Sequence, residues 1–166
     1  ADEAGDIKDY IAEQEKALRL SKLDLEEWVA SLGLDDLKAD LKDINDAIRD
    51  LPSGRDLAGG GRERAKPEDM TRVTVTEGQR DVLQQALGAG VFGEEDAARA
   101  RIALGQGKLR LDYLRQLLTL TQKYYQNQVS NTEDEVDARK AEFEAADRRW
   151  KREKEGLDDQ LKGIEE

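Results

Sequence analysis

The chain has 166 residues, a net charge of −11 and 39% charged residues, whereas aromatic residues make up only 5%. This composition excludes a thick aromatic core and favours long helices that meet along narrow apolar seams. The absence of Cys and His excludes disulfides, thiolate catalysis and ordinary zinc or haem sites. The acidic balance argues against nucleic-acid backbones as partners, because those need clustered Lys and Arg.

Residues 1–51 are predicted to form an N-terminal helical hairpin. A first stripe recurs every seven residues at Ile11, Leu18, Leu25 and Leu32, and the matching intermediate positions are Ile7, Gln14, Ser21 and Trp28. Gln14 and Ser21 place polar side chains in the middle of this seam. After Gly33, a second stripe with steps of three and four residues predicts the internal seam: Leu34, Leu37, Leu41, Ile44, Ile48 and Leu51. A bend or tight hairpin at residues 31–35, with Asp35 as N-cap, would let both stripes face one core.

Residues 52–69 are predicted to be a linker, because this segment holds both prolines and four of the fourteen glycines. Residues 70–75 favour an extended strand without an obvious partner. Thr76 and Gln79 form a capping-box pattern that opens a short helix through Leu87. The glycines of residues 88–93 end this helix.

From Glu94 onward the pattern predicts helix, and residues 70–166 as a whole are predicted to pack on residues 1–51 as one domain. Residues 109–125 are predicted to lie at the centre of the fold, because a helix that is apolar on more than one side is packed on more than one side. One face is a seven-residue repeat of Leu104, Leu111, Leu118 and Tyr125, and a second face comprises Leu109, Tyr113, Leu117, Leu120 and Tyr124. Two alternatives remain for residues 126–132. Asn131 is a plausible N-cap after a turn, whereas the unbroken repeat without Gly or Pro favours one long helix, which is the preferred prediction.

Several motifs that suggest chemistry have a simpler structural explanation. Residues 88–93 match the G-x-G-x-x-G pattern, but a helix precedes them and three acids follow, which predicts an inter-helix turn rather than a dinucleotide site. Residues 59–66 form a small basic spot in the predicted linker without the ending of a phosphate-binding loop. The aspartates of residues 35–50 and the basic cluster at residues 148–154 are predicted to be solvated helix faces.

The predicted function is therefore a non-enzymatic structural, assembly or protein-interaction module of an all-α fold, an antiparallel and coiled-coil-like helical bundle. No catalytic, cofactor-binding or metal-binding residue is predicted, and no cofactor or small-molecule substrate. The partner is expected to be a protein or a second copy, engaged through helices. Aromatic and aliphatic residues in charged surroundings are the candidate interaction residues: Val136, Phe143, Trp150, Leu157 and Trp28.

Two alternatives from other classes remain. An adaptor or chaperone would bind a basic partner helix in a groove. An enzyme based on paired carboxylates would need a pair that nothing in the sequence singles out.

The stretch from Leu109 to Gln128, LRLDYLRQLLTLTQKYYQNQ, with long charged helices after it, resembles the extracytoplasmic helical regions of large bacterial mechanosensitive channels. The resemblance implies a periplasmic accessory domain of a membrane protein, so that membrane contact would come only through a parent chain. It favours an extracytoplasmic location, although a chain without Cys fits either redox compartment. The helical register at residue 166 and the Ala at residue 1 are expected of a fragment or processed form.

Overall fold

A computed structural model describes residues 2–53 and 70–165. The described chain is helical apart from one small antiparallel sheet, which confirms the all-α prediction. Its elements are, in chain order, α1 (Glu3–Ser31), α2 (Leu34–Arg49), β1 (Arg72–Thr74), α3 (Glu77–Gly88), α4 (Glu94–Gln106), β2 (Lys108–Arg110) and α5 (Leu111–Glu165).

The chain divides into two compact units. Unit 1 comprises residues 1–34 and 131–166, the two ends of the chain, and unit 2 comprises residues 35–130. The predicted boundaries at residues 51 and 69 do not coincide with this division. Residues 54–69 of the predicted linker lie outside the described part of the chain.

The break between α1 and α2 falls where the sequence places it. Asp2 caps α1, because its carboxylate accepts a 2.9 Å hydrogen bond from the Gly5 N–H. Gly33 has a φ of 64°, in the left-handed region that glycine adopts without steric cost, and the chain re-enters helix at Leu34. Asp35 therefore lies in the first turn of α2 rather than at its N-cap, and that detail of the prediction is wrong.

The two N-terminal stripes pack in different units, which corrects the predicted hairpin with a common core. Half-buried members of the α1 stripe face residues 131–165 within unit 1. The α2 stripe enters the core of unit 2, where Ile44 is 2% exposed and Leu37, Leu41 and Ile48 pack around the same cluster. Heptad spacing fixes which side of each helix is apolar, but not which other helix covers it.

Unit 2 is built around one apolar core. Leucines of the first two turns of α5 lie at its centre and are fully buried: Leu111, Leu114, Leu117 and Leu118. Polar contacts also join the helices of unit 2. Gln122 of α5 donates a 2.8 Å hydrogen bond to the side-chain oxygen of Asn45 in α2. Arg80 of α3 donates to the Leu104 carbonyl of α4 at 2.9 Å.

The predicted strand at residues 70–75 does have a partner, which corrects the sequence-based expectation. β1 pairs with β2 in an antiparallel register that sets Val73 opposite Leu109, both buried. The expected continuous helix through residues 104–125 is broken here, because Gly107 ends α4 with a φ of 69°. The Leu111 N–H then donates a 2.8 Å hydrogen bond to the Thr71 carbonyl and opens α5.

Two other local predictions are confirmed. Thr76 and Gln79 form the complete capping box at the start of α3, with both reciprocal hydrogen bonds present. The helix α5 runs for 55 residues without interruption through residues 126–132, so the single long helix is correct and the alternative turn is wrong. No Gly or Pro interrupts this stretch.

Candidate functional site

Unit 1 is an antiparallel pair of helices, α1 and the part of α5 from residue 131 onward. It is called here the coiled coil, because apolar residues recur every seven residues along both helices. Three side-chain pairs fix its direction, because an early residue of α1 always meets a late residue of α5. These pairs are Lys8 Nζ with Glu165 Oε1 at 3.1 Å, Glu15 Oε1 with Lys154 Nζ at 2.7 Å, and the Trp28 ring with the Arg139 guanidinium at 4.5 Å.

The seam of this coiled coil is thin. The apolar positions of the α1 stripe are half-buried, and no residue of α1 is fully buried. A pair of isolated helices offers each side chain only one neighbouring helix, which explains the incomplete cover. Tyr10 strengthens one end, because its ring meets Trp150 edge-on at 6.2 Å and its hydroxyl donates a 2.7 Å hydrogen bond to Glu153.

The five predicted interaction residues all lie in unit 1. Val136 and Trp150 are 5% and 8% exposed, so the chain itself already covers them. Trp28, Phe143 and Leu157 are half-buried and keep part of their surface free. Of the five residues, these three therefore remain available for an intermolecular contact, and that role stays a prediction.

Phe143 lies between two open grooves. The first, called here the Ser21 groove, has a volume of about 310 Å³ and is lined by Leu18, Ser21, Asp24, Leu25, Arg139, Glu142, Phe143 and Ala146. The second, the Val29 groove, has a volume of about 490 Å³ and is lined by Lys22, Leu25, Glu26, Val29, Ala30, Lys140, Phe143 and Glu144. The half-buried Phe143 ring thus contributes an apolar wall on both flanks of the coiled coil.

Small side chains open the Ser21 groove. Ser21 occupies a position of the seam where a coiled coil normally carries a leucine, and Ala146 contributes only a methyl group beside it. Neither side chain is long enough to cover Phe143. The polar residue that weakens the stripe in the sequence is therefore one of the residues that line the groove.

A third groove lies at the other end of the same coiled coil. The Ile7 groove has a volume of about 510 Å³ and is lined by Glu3, Asp6, Ile7, Gln160 and Ile164. Ile164 remains 43% exposed there, and no basic residue lines this groove.

Two further leucines expose apolar surface on α1. Leu20 and Leu23 are 52% and 53% exposed and point away from the stripe of Leu18 and Leu25. A solitary exposed leucine is ordinary, but two leucines three residues apart lie side by side on a helix. The seven-residue stripes alone did not identify them, because they belong to neither stripe.

The charge of the chain is concentrated in unit 1. Its 70 residues carry 22 acids and 12 bases, a balance of −10 out of the total of −11. Unit 2 carries 16 acids and 15 bases. Two groups at the coiled coil have raised pKa values: the hydrogen bond to Glu153 raises the pKa of Tyr10, and the hydrogen bond to Glu15 raises the pKa of Lys154.

A cluster of charged side chains in unit 2 surrounds Tyr113. The guanidinium groups of Arg99 and Arg110 lie 4.0 Å and 4.3 Å from the centre of its ring, and Arg110 also pairs with Asp112 at 2.6 Å. The hydrogen bond to Asp112 raises the pKa of the Arg110 guanidinium above its ordinary value. Every charge of this cluster has an intramolecular partner, which indicates a structural role.

The motifs singled out in the sequence occupy structural positions. Residues 88–93 form a turn between α3 and α4, with Gly90 at a φ of 70° and with Val91 and Phe92 packed against the core of unit 2. In the basic cluster of residues 148–154, Lys151 pairs with Asp147 at 3.0 Å. The basic spot at residues 59–66 lies outside the described residues.

Residues 2–53 and 70–165 contain neither a carboxylate cluster suited to a metal ion nor a helix able to span a membrane. In this part of the chain no set of three or more carboxylates is placed to hold a metal ion. Among the same residues, no helix contains a stretch both long and apolar enough to cross a lipid bilayer.

The resemblance of residues 109–128 to regions of mechanosensitive channels stays a prediction. Comparison of the chain with models of protein families, with curated proteins and with solved structures found no match.

Proposed function

We propose that this chain is a non-enzymatic helical module that binds another protein through the coiled coil of unit 1. The observation that carries the proposal is the half-buried Phe143 between two open grooves, on a coiled coil whose seam is incompletely covered. A third helix is the natural complement of such a surface, because it would cover apolar side chains that two helices leave partly exposed.

The contrast between the units supports this assignment. Unit 2 buries a contiguous apolar core, and its buried polar side chains, Gln79 and Thr121, are hydrogen-bonded. Unit 1 displays apolar surface at Phe143, Leu20, Leu23 and Ile164, and two of these residues line its grooves. The exposed apolar side chains of unit 2, Met70, Ile102 and Leu120, line none of the three grooves described. Exposed apolar surface next to charged groups is typical of protein-interaction sites.

Site-specific photo-crosslinking tests this function. A photoreactive amino acid replaces Leu20 on the outer face of unit 1 and, as a matched control, the exposed Gln84 of α3 in unit 2. In cells that produce the protein, the Leu20 variant is expected to give discrete adducts, identified by mass spectrometry, whereas the Gln84 variant gives none. Absence of adducts at Leu20, or the same adducts at both positions, would overturn the proposal.

Sedimentation of the purified chain over a range of concentrations separates the two kinds of partner. A reversible dimer that Phe143→Ala weakens would identify a second copy as the partner. A monomer at all concentrations, together with Leu20 adducts that contain another protein, would identify a heteromeric partner.

A further inference from the structure

We propose that the partner of unit 1 is a cationic amphipathic helix, which lies along one flank of α1 and fills the Ser21 and Ile7 grooves with apolar side chains. This inference rests on the proposed function and adds the chemistry of the partner.

Both grooves lie on the same flank of α1. With the stripe of Ile11 and Leu18 as heptad position a and the stripe of Ile7 and Ser21 as position d, positions c and g form one flank, and b and e form the other. In the Ser21 groove, the α1 residue beside the seam is Asp24, at position g. In the Ile7 groove, the α1 residues beside the seam are Glu3 at position g and Asp6 at position c. Beside the seam residue Leu25, the α1 lining of the Val29 groove is Lys22, Glu26 and Val29 at positions b and e and Ala30 at position f, so this groove belongs to the opposite flank.

The c and g positions of α1 carry acids and no base: Glu3, Asp6, Glu13, Asp24 and Glu27. Three of the four bases of α1 occur at b and e, which are Lys8, Arg19 and Lys22, and the fourth, Lys16, points away from the seam. The flank that holds two grooves is thus the uniformly acidic one. Positively charged side chains on the edge of a docked helix that faces α1 would meet complementary charge there.

The α5 side of the Ser21 groove contributes Arg139 and Glu142. The Arg139 guanidinium lies over the Trp28 ring, so this cation already has an intramolecular partner. Arg149 follows Glu142 by one heptad, so the α5 side carries mixed charge. Selection for a cationic partner therefore comes mainly from α1.

The spacing of the grooves fits a helix. Ile7 and Ser21 are fourteen residues apart on α1, which corresponds to about 21 Å along the helix axis. A partner helix of about three heptads spans both grooves, with leucine-like residues at its own a and d positions. The exposed Leu20 is at a c position beside the Ser21 groove and adds apolar surface on the same flank.

A second copy of this chain does not fit the flank, because its coiled coil carries the same balance of −10. Placing two such flanks together would bring like charges into contact.

The test uses the full chain and a labelled synthetic peptide of about three heptads, with Leu at a and d and Lys at e and g. Fluorescence anisotropy is expected to show binding that weakens as salt rises, because the contact is partly electrostatic. A peptide with Glu in place of each Lys is expected not to bind.

The two grooves beside Phe143 supply a matched pair of variants. Asp24→Lys with Glu142→Lys reverses both acids of the Ser21 groove, and Glu26→Lys with Glu144→Lys reverses both acids of the Val29 groove. Each double variant changes one residue on α1 and one on α5, with the same change in net charge. Because each exposed ion pair contributes only a few-fold, the first variant is expected to bind the Lys peptide about tenfold more weakly, and the second within about twofold of the original.

Circular dichroism establishes that both variants remain helical. Equal losses in the two variants, equal binding of the Glu peptide, or no binding of the Lys peptide would overturn the inference. If the peptide does not bind but crosslinking from Leu20 still gives specific adducts, the interaction function stands and only the chemistry of the partner is wrong. If both experiments fail, the proposed function falls as well.

Discussion

The Gln79 side-chain amide donates a 3.1 Å hydrogen bond to the backbone carbonyl of Ala47, while its oxygen accepts a 3.0 Å hydrogen bond from the Thr76 N–H. One fully buried side chain thus caps α3 and ties it to α2. Replacing Gln79 by Leu would leave a buried carbonyl without its partner, and we expect the free energy of unfolding to fall by about 1–3 kcal/mol.

Gln84→Leu is the control for this prediction, because Gln84 lies on the same helix with an exposed side chain. Chemical denaturation followed by circular dichroism measures both variants. If Gln79→Leu were as stable as the original chain, the link between α2 and α3 would not contribute to stability.

Two glycines near the end of α4 are expected to respond to alanine with opposite signs. Gly105 lies within the helix with free space around its Cα, so Gly105→Ala should raise stability by about 0.5–1 kcal/mol. Gly107 has a φ of 69°, and alanine there should lower stability by about 1–2 kcal/mol. Thermal melting of the two variants checks the prediction, which a shift of both in the same direction would contradict.

Alkaline pH should weaken unit 1. The folded state holds the Tyr10 and Lys154 protons more tightly than the unfolded chain does, because Glu153 and Glu15 raise their pKa values. The contribution of each pair is complete below the ordinary pKa values of 10.0 and 10.5 and is lost as the pH rises through the raised ones.

Tryptophan fluorescence measures this loss in unit 1 alone, because both tryptophans of the chain belong to that unit. Between neutral pH and a pH of about 11, the unfolding midpoint should fall more in the original chain than in a variant with Tyr10→Phe and Glu15→Gln. An equal fall in both proteins would show that these two pairs do not cause the pH dependence.

Filling the polar gaps of the coiled coil should separate stability from binding. Ser21→Leu places a leucine at a d position beside Phe143 and should stabilise unit 1 by about 1 kcal/mol. It should also close the Ser21 groove and weaken binding of the Lys peptide.

Gln14→Leu is its control, since Gln14 is half-buried at another d position and lines none of the three grooves described. This variant should gain stability of the same order and retain the peptide. Binding unaffected by Ser21→Leu would show that the groove is not the docking site.

Local patterns predicted most of the helices. Three signals that involve only neighbours in sequence each predicted a helix that the structure contains. They are the repeat of leucines in α2, the capping box at Thr76 and the lack of Gly or Pro in residues 126–132. The stretch from Leu104 to Leu111 was wrongly predicted as continuous helix, because its seven-residue spacing is helical. In the structure Gly107 ends α4, and the next three residues form β2 by pairing with the distant β1.

The pairing of the helices could not be predicted from periodicity. The stripes of α1 and α2 look alike in sequence, yet one packs on residues 131–165 and the other in the core of unit 2. The Ser21 groove shows the same limit. A weak point at Ser21 is visible in the sequence, but its depth depends on Ala146, a residue 125 positions away.

Because unit 1 is assembled from the two ends of the chain, synthesis on the ribosome imposes an order on its formation. The segment 35–130 is contiguous and can fold while the remainder is still being translated. Helix α1 is synthesised before the segment that covers it, which begins at residue 131. The contact between them therefore forms late, because its residues are far apart in sequence. Prematurely terminated chains would therefore expose the apolar stripe of Leu18 and Leu25. Exposed apolar surface of this kind leads to chaperone binding and proteolysis of incompletely folded chains.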